Sequence, residues 1–273
     1  MLIKVEARNI QGDLLSLPLD DISSGFTVEE VEGLDPVKAS IVSSGFAGMD
    51  GELYQDSRRE TRNIRIKLAV RPESDFDTVR DLRNQLYKFF MPKSHVSLRF
   101  YSEDLDVDIL GWVETCDFPL FSKDPAADIS IICLDPDFFN PVPTVFNQMT
   151  SANPASFDPL EYEGTTGTGF KFTLNLNRSL SEFTIYHRDP NGNVKSLEFS
   201  TPLLSGDTLT ISTVPGNKGA TLVRSGMTSS VLYAVSPQSS WIELSRGTNE
   251  ILVYATGADI PYSIEYTAKY GGL

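Results

Sequence analysis

Few residues in this chain could do chemistry, and their spacing argues against it. The two histidines, His95 and His187, stand 92 positions apart, with no H-x-x-x-H or neighbouring cysteine to complete a site. There is no G-x-S-x-G nucleophile elbow, no H-E-x-x-H zinc helix and no Walker lysine. With 37 Asp and Glu in the chain, some carboxylate pair will always match a glycosidase's separation, so such a pair selects nothing. Cys116 and Cys133 are too few for a disulfide framework or a zinc site. Both lie in apolar-patterned stretches and read as buried structural thiols. His187, just before Arg188-Asp189-Pro190, reads as an exposed strand-end residue. The expectation is a protein with no catalytic residues, no metal and no cofactor.

Two stretches tempt a ligand assignment and fail on detail. Gly45, Gly48 and Gly51 mark a loop that needs conformational freedom. Their G-x-x-G-x-x-G spacing, with no Lys-Ser/Thr to follow, matches neither the phosphate-binding loop nor the dinucleotide fingerprint. Asp104-Leu105-Asp106-Val107-Asp108 opens like a calcium loop, but Ile109 stands where glycine is needed and Thr115 where glutamate is. The alternation of Leu105, Val107 and Ile109 fits a strand with an acidic second face.

Interaction is a better prospect than catalysis. In RRETRNIRIKLAVR, Ile64, Ile66, Leu68 and Val70 alternate with polar residues, a period-two strand with one apolar face. Arg58, Arg59, Arg62, Arg65 and Lys67 form a basic strip along it. That strip is either a solvated strand face or a set of assembly contacts meeting an acidic surface on another subunit. The net charge is −14, and residues 1–140 hold 15 Lys and Arg against 26 Asp and Glu, a net of −11. Such a chain is a poor grip for a polyphosphate backbone. An acidic surface would still suit DNA that must slide past it.

The elements that must position these residues change character midway. The N-terminal half alternates as strands around one helix over 75–90, with Ser74 and Asp77 as a capping-box-like start and Pro92 as its stop. Ile129–Val145, ISIICLDPDFFNPVPTV, joins a buried strand to three prolines flanking Phe138 and Phe139, and marks a domain seam. Residues 147–169 read as a long loop. Beyond them, short apolar runs recur between turn signals, including Phe170–Leu176, Phe183–His187, Val231–Ala234, Trp241–Leu244 and Tyr262–Tyr266. The expected fold is mainly β: an α+β domain over 1–140 with one helix, then an antiparallel β-sandwich over 141–273. No apolar run reaches membrane-spanning length, and the N-terminus lacks a secretory h-region, so synthesis in the cytoplasm is expected.

Four stretches taken together resemble the siphophage-type distal tail protein family. They are NIRIKLAVR, VRDLRNQLYKFF, ICLDPDFFNP, and the closing W-x-x-L-x-x-G-x-N-x-I…IEY. The likeness covers nearly the whole chain in order. It implies a ring-forming N-terminal domain, a galectin-like outer sandwich, and a homo-hexamer at the tail tip of the virion. It also implies contacts with the tail tube protein, the tail hub or tail-associated protein and receptor-binding proteins, with DNA only passing through the lumen and no membrane partner. No catalytic residue carries over. The alternative is a carbohydrate-binding adhesin working through its C-terminal sandwich, and a third class is a hydrolase of the host envelope.

Overall fold

A computed structural model describes residues 2–19, 25–48, 50–72, 78–119 and 123–273. The chain divides into two compact units, Met1–Pro141 with Tyr270–Leu273, and Val142–Lys269. The sequence expectation leaves the last four residues with the second domain. They return to the first because its backbone receives them: the Leu273 N–H donates to the Leu34 carbonyl at 3.0 Å.

The first unit contains β1 (Leu2–Asn9), β2 (Leu14–Pro18), β3 (Phe26–Glu32), β4 (Ala39–Ser44), β5 (Leu53–Arg59) and β6 (Arg62–Val70). After these come α1 (Val79–Phe90), β7 (His95–Ser102), β8 (Val107–Asp117), β9 (Ala126–Cys133) and β10 (Phe138–Phe139). Seven strands form an antiparallel sheet in the order β2-β1-β7-β8-β9-β6-β3, and β10 pairs with β8 beside it. Alternation sets the faces. Val5, Ala7, Val96, Leu98, Phe100, Ile129, Ile131, Ile64 and Ile66 point inward and are fully buried. The amphipathic α1 adds Leu82, Leu86, Phe89 and Phe90 to that core. Its N-cap is Thr78, whose hydroxyl accepts the Asp81 N–H at 3.3 Å while the Asp81 carboxylate accepts the Thr78 N–H at 3.2 Å. The expected cap, Ser74 with Asp77, lies outside the described residues.

β4 and β5 stand apart as a two-stranded sheet of their own. The glycine spacing predicts a loop over residues 43–54, and the structure narrows it to the residues between β4 and β5. Gly48 and Gly51, at φ of +84° and +86°, serve in the turn of a hairpin.

The second unit is a sandwich of two antiparallel sheets. Its strands are β11 (Thr144–Met149), β12 (Asp158–Tyr162), β13 (Phe170–Asn175), β14 (Leu180–Arg188), β15 (Val194–Leu203) and β16 (Thr208–Ser212). These continue with β17 (Gly219–Arg224), β18 (Met227–Ser230), β19 (Gly247–Tyr254) and β20 (Pro261–Tyr266). One sheet runs β11-β20-β13-β16-β17-β18 and the other β12-β19-β14-β15. Phe172 of the first stacks on Phe183 of the second at 5.8 Å, and Phe183 stacks on Phe199 at 5.3 Å. A last short strand, β21 (Lys269–Tyr270), pairs with β10.

Three expectations in this half are corrected. Residues 147–169 hold half of β11 and all of β12, because edge strands bury few residues and tolerate polar ones. Val231–Ala234 ends in a short 3₁₀ turn, Leu232–Ala234, with Leu232 and Tyr233 turned outward. Trp241–Leu244 is irregular, joined to Thr168 only through a bridge at Leu244.

Candidate assembly surface

The basic strip separates by strand parity. On β6, Arg62 is in phase with Ile64, Ile66 and Leu68, so it faces the core, while Arg65 and Lys67 face out. Arg62 is only 1% exposed. Its guanidinium donates to the carbonyls of Pro136 at 2.7 Å, Asp35 at 2.7 Å and Gly271 at 2.6 Å, and to that of Gly33. Its plane lies 4.4 Å over the ring of Phe138, which in turn meets Phe100 edge-on at 5.7 Å. Burial pulls this guanidinium below the ordinary arginine value. The four carbonyl dipoles offset that cost and hold the chain leaving β3, the proline seam and the returning C-terminus on one side chain. Gly33 is confined to this place: its φ is +87°, and a Cβ there would meet the Asn63 carbonyl oxygen at 2.1 Å. Arg62 is thus withdrawn from any surface. The parity was present in the sequence, but the grouping by charge overrode it.

The other members of the strip lie further out. Arg59 closes a two-pronged pair with Asp137, whose carboxylate is almost fully buried, and so fastens the base of the hairpin to the seam. That hydrogen-bonded partner raises the Arg59 guanidinium's affinity for its proton. Arg65 meets Asp128 at 2.8 Å and Glu32 at 3.8 Å, and Lys67 pairs with Glu30. The Lys67–Glu30 hydrogen bond raises the ammonium's pKa and lowers the carboxylate's. Arg58 makes no ion pair among the described residues and is exposed. The structure therefore brings Arg59 and Arg62 together over the seam, sets Arg65 and Lys67 on the outer sheet face, and leaves Arg58 at the surface of the hairpin.

Apolar surface near these charges was not anticipated. The hairpin exposes Ile41 at 65%, Val42, Phe46, Leu53 and Tyr54 at 65%, and its strands bury no residue. A two-stranded hairpin is marginal by itself in water, so such a surface calls for a partner. On the outer sheet face, Leu110 and Trp112 of β8 are also exposed. Trp112 stands opposite His95 on one side and Ile132 on the other, with the His95 and Trp112 rings 5.1 Å apart. The sequence signal was available: VDILGWVE is apolar in both parities, the mark of a strand covered on both faces.

His187 is buried, against the exposed position expected, and its Nε2 lies 2.9 Å from Asn249 Oδ1. Burial pushes its pKa down, so it is neutral at pH 7. Asn249 in turn donates to the carbonyls of Ser245 and Gly247 at 2.7 and 2.9 Å, closing the turn into β19. Asp108 of the calcium-like stretch is occupied by Arg99, at 2.6 and 2.7 Å. Burial pushes the thiol of Cys116 up to about 11 and that of Cys133 up to about 12.

Comparison with known proteins adds two family matches in chain order. A phage tail protein RIFT-related domain matches residues 21–109, and a siphovirus-type tail component, C-terminal domain, matches residues 163–270. No curated protein matches the chain. Among solved structures, the SPP1 Dit (gp 19.1) protein aligns over 97% of this chain and 98% of its own, at 18% identity and a TM-score of 0.69. That structure is described as a paradigm of the hub adsorption apparatus in phages infecting Gram-positive bacteria. A chain of the phage P2 baseplate, in its activated conformation with calcium, aligns over all of both chains at 12% identity and a TM-score of 0.49.

Proposed function

Because this chain belongs to the siphovirus-type tail component family, we propose that it is a non-enzymatic structural protein that closes into a ring at the distal end of a phage tail. The ring is a homo-hexamer built by the first unit. It joins the tail tube protein to the tail hub or tail-associated protein and, through the outer sandwich, to receptor-binding proteins. It assembles in the host cytoplasm and resides in the virion at the tail tip. DNA passes through its lumen without being gripped, in keeping with a net of −11 over residues 1–140.

The observation that carries the ring is the unpartnered hairpin Ala39–Arg59. Its exposed Ile41, Val42, Phe46, Leu53 and Tyr54 need a stable cover, and its base is fastened to its own unit through Arg59 and Asp137. A second copy supplies that cover, repeated around the ring. Of the basic strip, Arg58 is the member free to reach the acidic surface of that copy; Arg65 and Lys67 would have to exchange internal partners to do so. Mass measurement of the purified protein and electron microscopy of particles test this. A six-fold ring is expected, and Ile41→Asp with Tyr54→Asp should leave folded monomers. A wild-type chain that stays monomeric, in particles that show no ring, would overturn it.

A further inference from the structure

The four-stranded sheet of the second unit carries a trough of about 480 Å³ on its outer face. Its floor is β14, where Glu182, Thr184 and Tyr186 point outward while Phe183 and Ile185 are buried. Thr184 lies opposite Tyr254 of β19 on one side and Glu198 of β15 on the other. Beyond β15, the 3₁₀ turn raises a wall. Val235 bridges to Phe199, the Ser236 N–H donates to the Glu198 carbonyl at 3.0 Å, and Tyr233 stands on the rim at 79% exposure. The trough thus crosses three strands and this wall, a span of about 14 Å at strand spacing, the length of a short oligosaccharide.

Its chemistry is specific in two respects. Tyr186, Tyr254 and Tyr233 offer flat rings with polar tips, Tyr186 and Tyr254 being diagonal neighbours across β14 and β19. Glu182 and Glu198 offer carboxylate acceptors, and neither is in an ion pair among the described residues. No Lys, Arg or His lines the trough. A ligand that suits it has apolar faces to lay on tyrosine and many O–H or N–H donors for the carboxylates, and carries no negative charge of its own. We propose that this trough binds a neutral or amine-bearing oligosaccharide, stacked on Tyr186 and Tyr254 and donating hydroxyl protons to Glu182 and Glu198. The site lies outside the hairpin and the basic strip, so it stands or falls independently of the ring.

The test is a glycan array probed with the full chain, carrying neutral, amine-bearing and acidic oligosaccharides, with the strongest signals measured by calorimetry. Neutral or amine-bearing glycans should bind about tenfold or more tightly than their uronate or phosphate counterparts. Tyr254→Ala should weaken the strongest of them about tenfold, and Glu198→Gln by a smaller factor, with the thermal unfolding of both variants unchanged. Silence from every neutral and amine-bearing glycan overturns the assignment. So does a preference for acidic ones, or binding indifferent to both substitutions.

Discussion

Replacing Arg62 with Met should cost the first unit more stability than any change to the outward-facing bases of β6. Met keeps the length and the apolar contact with Phe138, so the loss isolates the hydrogen bonds. Four carbonyls, of Gly33, Asp35, Pro136 and Gly271, lose their donor at once. Each buried acceptor left without a partner costs about 1–3 kcal/mol. Two terms reduce the sum: water can reach some of the four, and removing a buried cation recovers its desolvation cost. The expected net loss is about 3–5 kcal/mol. Against a typical domain stability of about 5–15 kcal/mol that is a large share.

The two tryptophans make this measurable, because Trp112 belongs to the first unit and Trp241 to the second. In a Trp241→Phe background, Trp112 fluorescence followed through a urea titration reports the first unit alone. Arg65→Met in the same background removes only exposed pairs, with Asp128 and Glu32, and should cost about 1 kcal/mol or less. If Arg62→Met costs no more than Arg65→Met, the carbonyl cluster is not holding the seam and the argument from parity fails.

The remaining predictions concern titration and reactivity. Asp207 is buried, and the Arg224 guanidinium, 2.6 Å away, holds its carboxyl below the usual value. Its folded pKa therefore lies under its unfolded one, so its contribution is complete above about pH 4 and is lost as pH falls through the folded value. The urea midpoint of the second unit, followed by Trp241 in a Trp112→Phe chain, should drop across that acid range, and Asp207→Asn should flatten the drop; an unchanged slope would contradict the pairing. Cys133, its thiol pushed up to about 12 by burial, should resist maleimide at pH 8 in the folded chain and react on unfolding. Rapid native labelling at Cys133 would show that β9 is open.

Much of the first unit was legible because its signals are local. Ile64, Ile66, Leu68 and Val70 alternate and are buried, and Leu82, Leu86, Phe89 and Phe90 fall on the inward stripe of α1. Phe138, singled out between prolines, is fully buried at the seam. The hairpin was not legible. ASIVSS and LYQDSRR bury nothing within the chain, so no alternation of apolar and polar residues marks them as strands. β11 and β12 were hidden for a related reason, since their pairing partners, β20 and β19, lie about a hundred residues away in sequence. The trough was equally out of reach: its lining comes from β14, β15, the 3₁₀ turn and β19, stretches spread over some seventy residues, and only the sheet order brings them together.

The basic strip shows how composition can mislead where parity would not. Five cations within ten residues suggest one electrostatic surface, yet Arg58 and Arg59 lie on β5, and on β6 the period of two parts Arg62 from Arg65 and Lys67. Arg62 goes inward because a guanidinium, with five donors in a plane, is the side chain able to satisfy several carbonyls that no strand reaches. Arg65 and Lys67 go outward and meet carboxylates of β3 and β9 on their own sheet. A strip neutralised in this way has little charge left to offer a neighbour. The surface still lacking a partner is apolar, at Ile41, Phe46 and Tyr54 on the hairpin and at Leu110 and Trp112 on the sheet. Association through such patches would gain from the area covered, while the net of −11 over residues 1–140 would slow the approach of like-charged copies. Salt should therefore have a weak effect on the stability of the proposed ring and a stronger one on its rate of formation. An assembly that dissolved at moderate salt would point back to the charges.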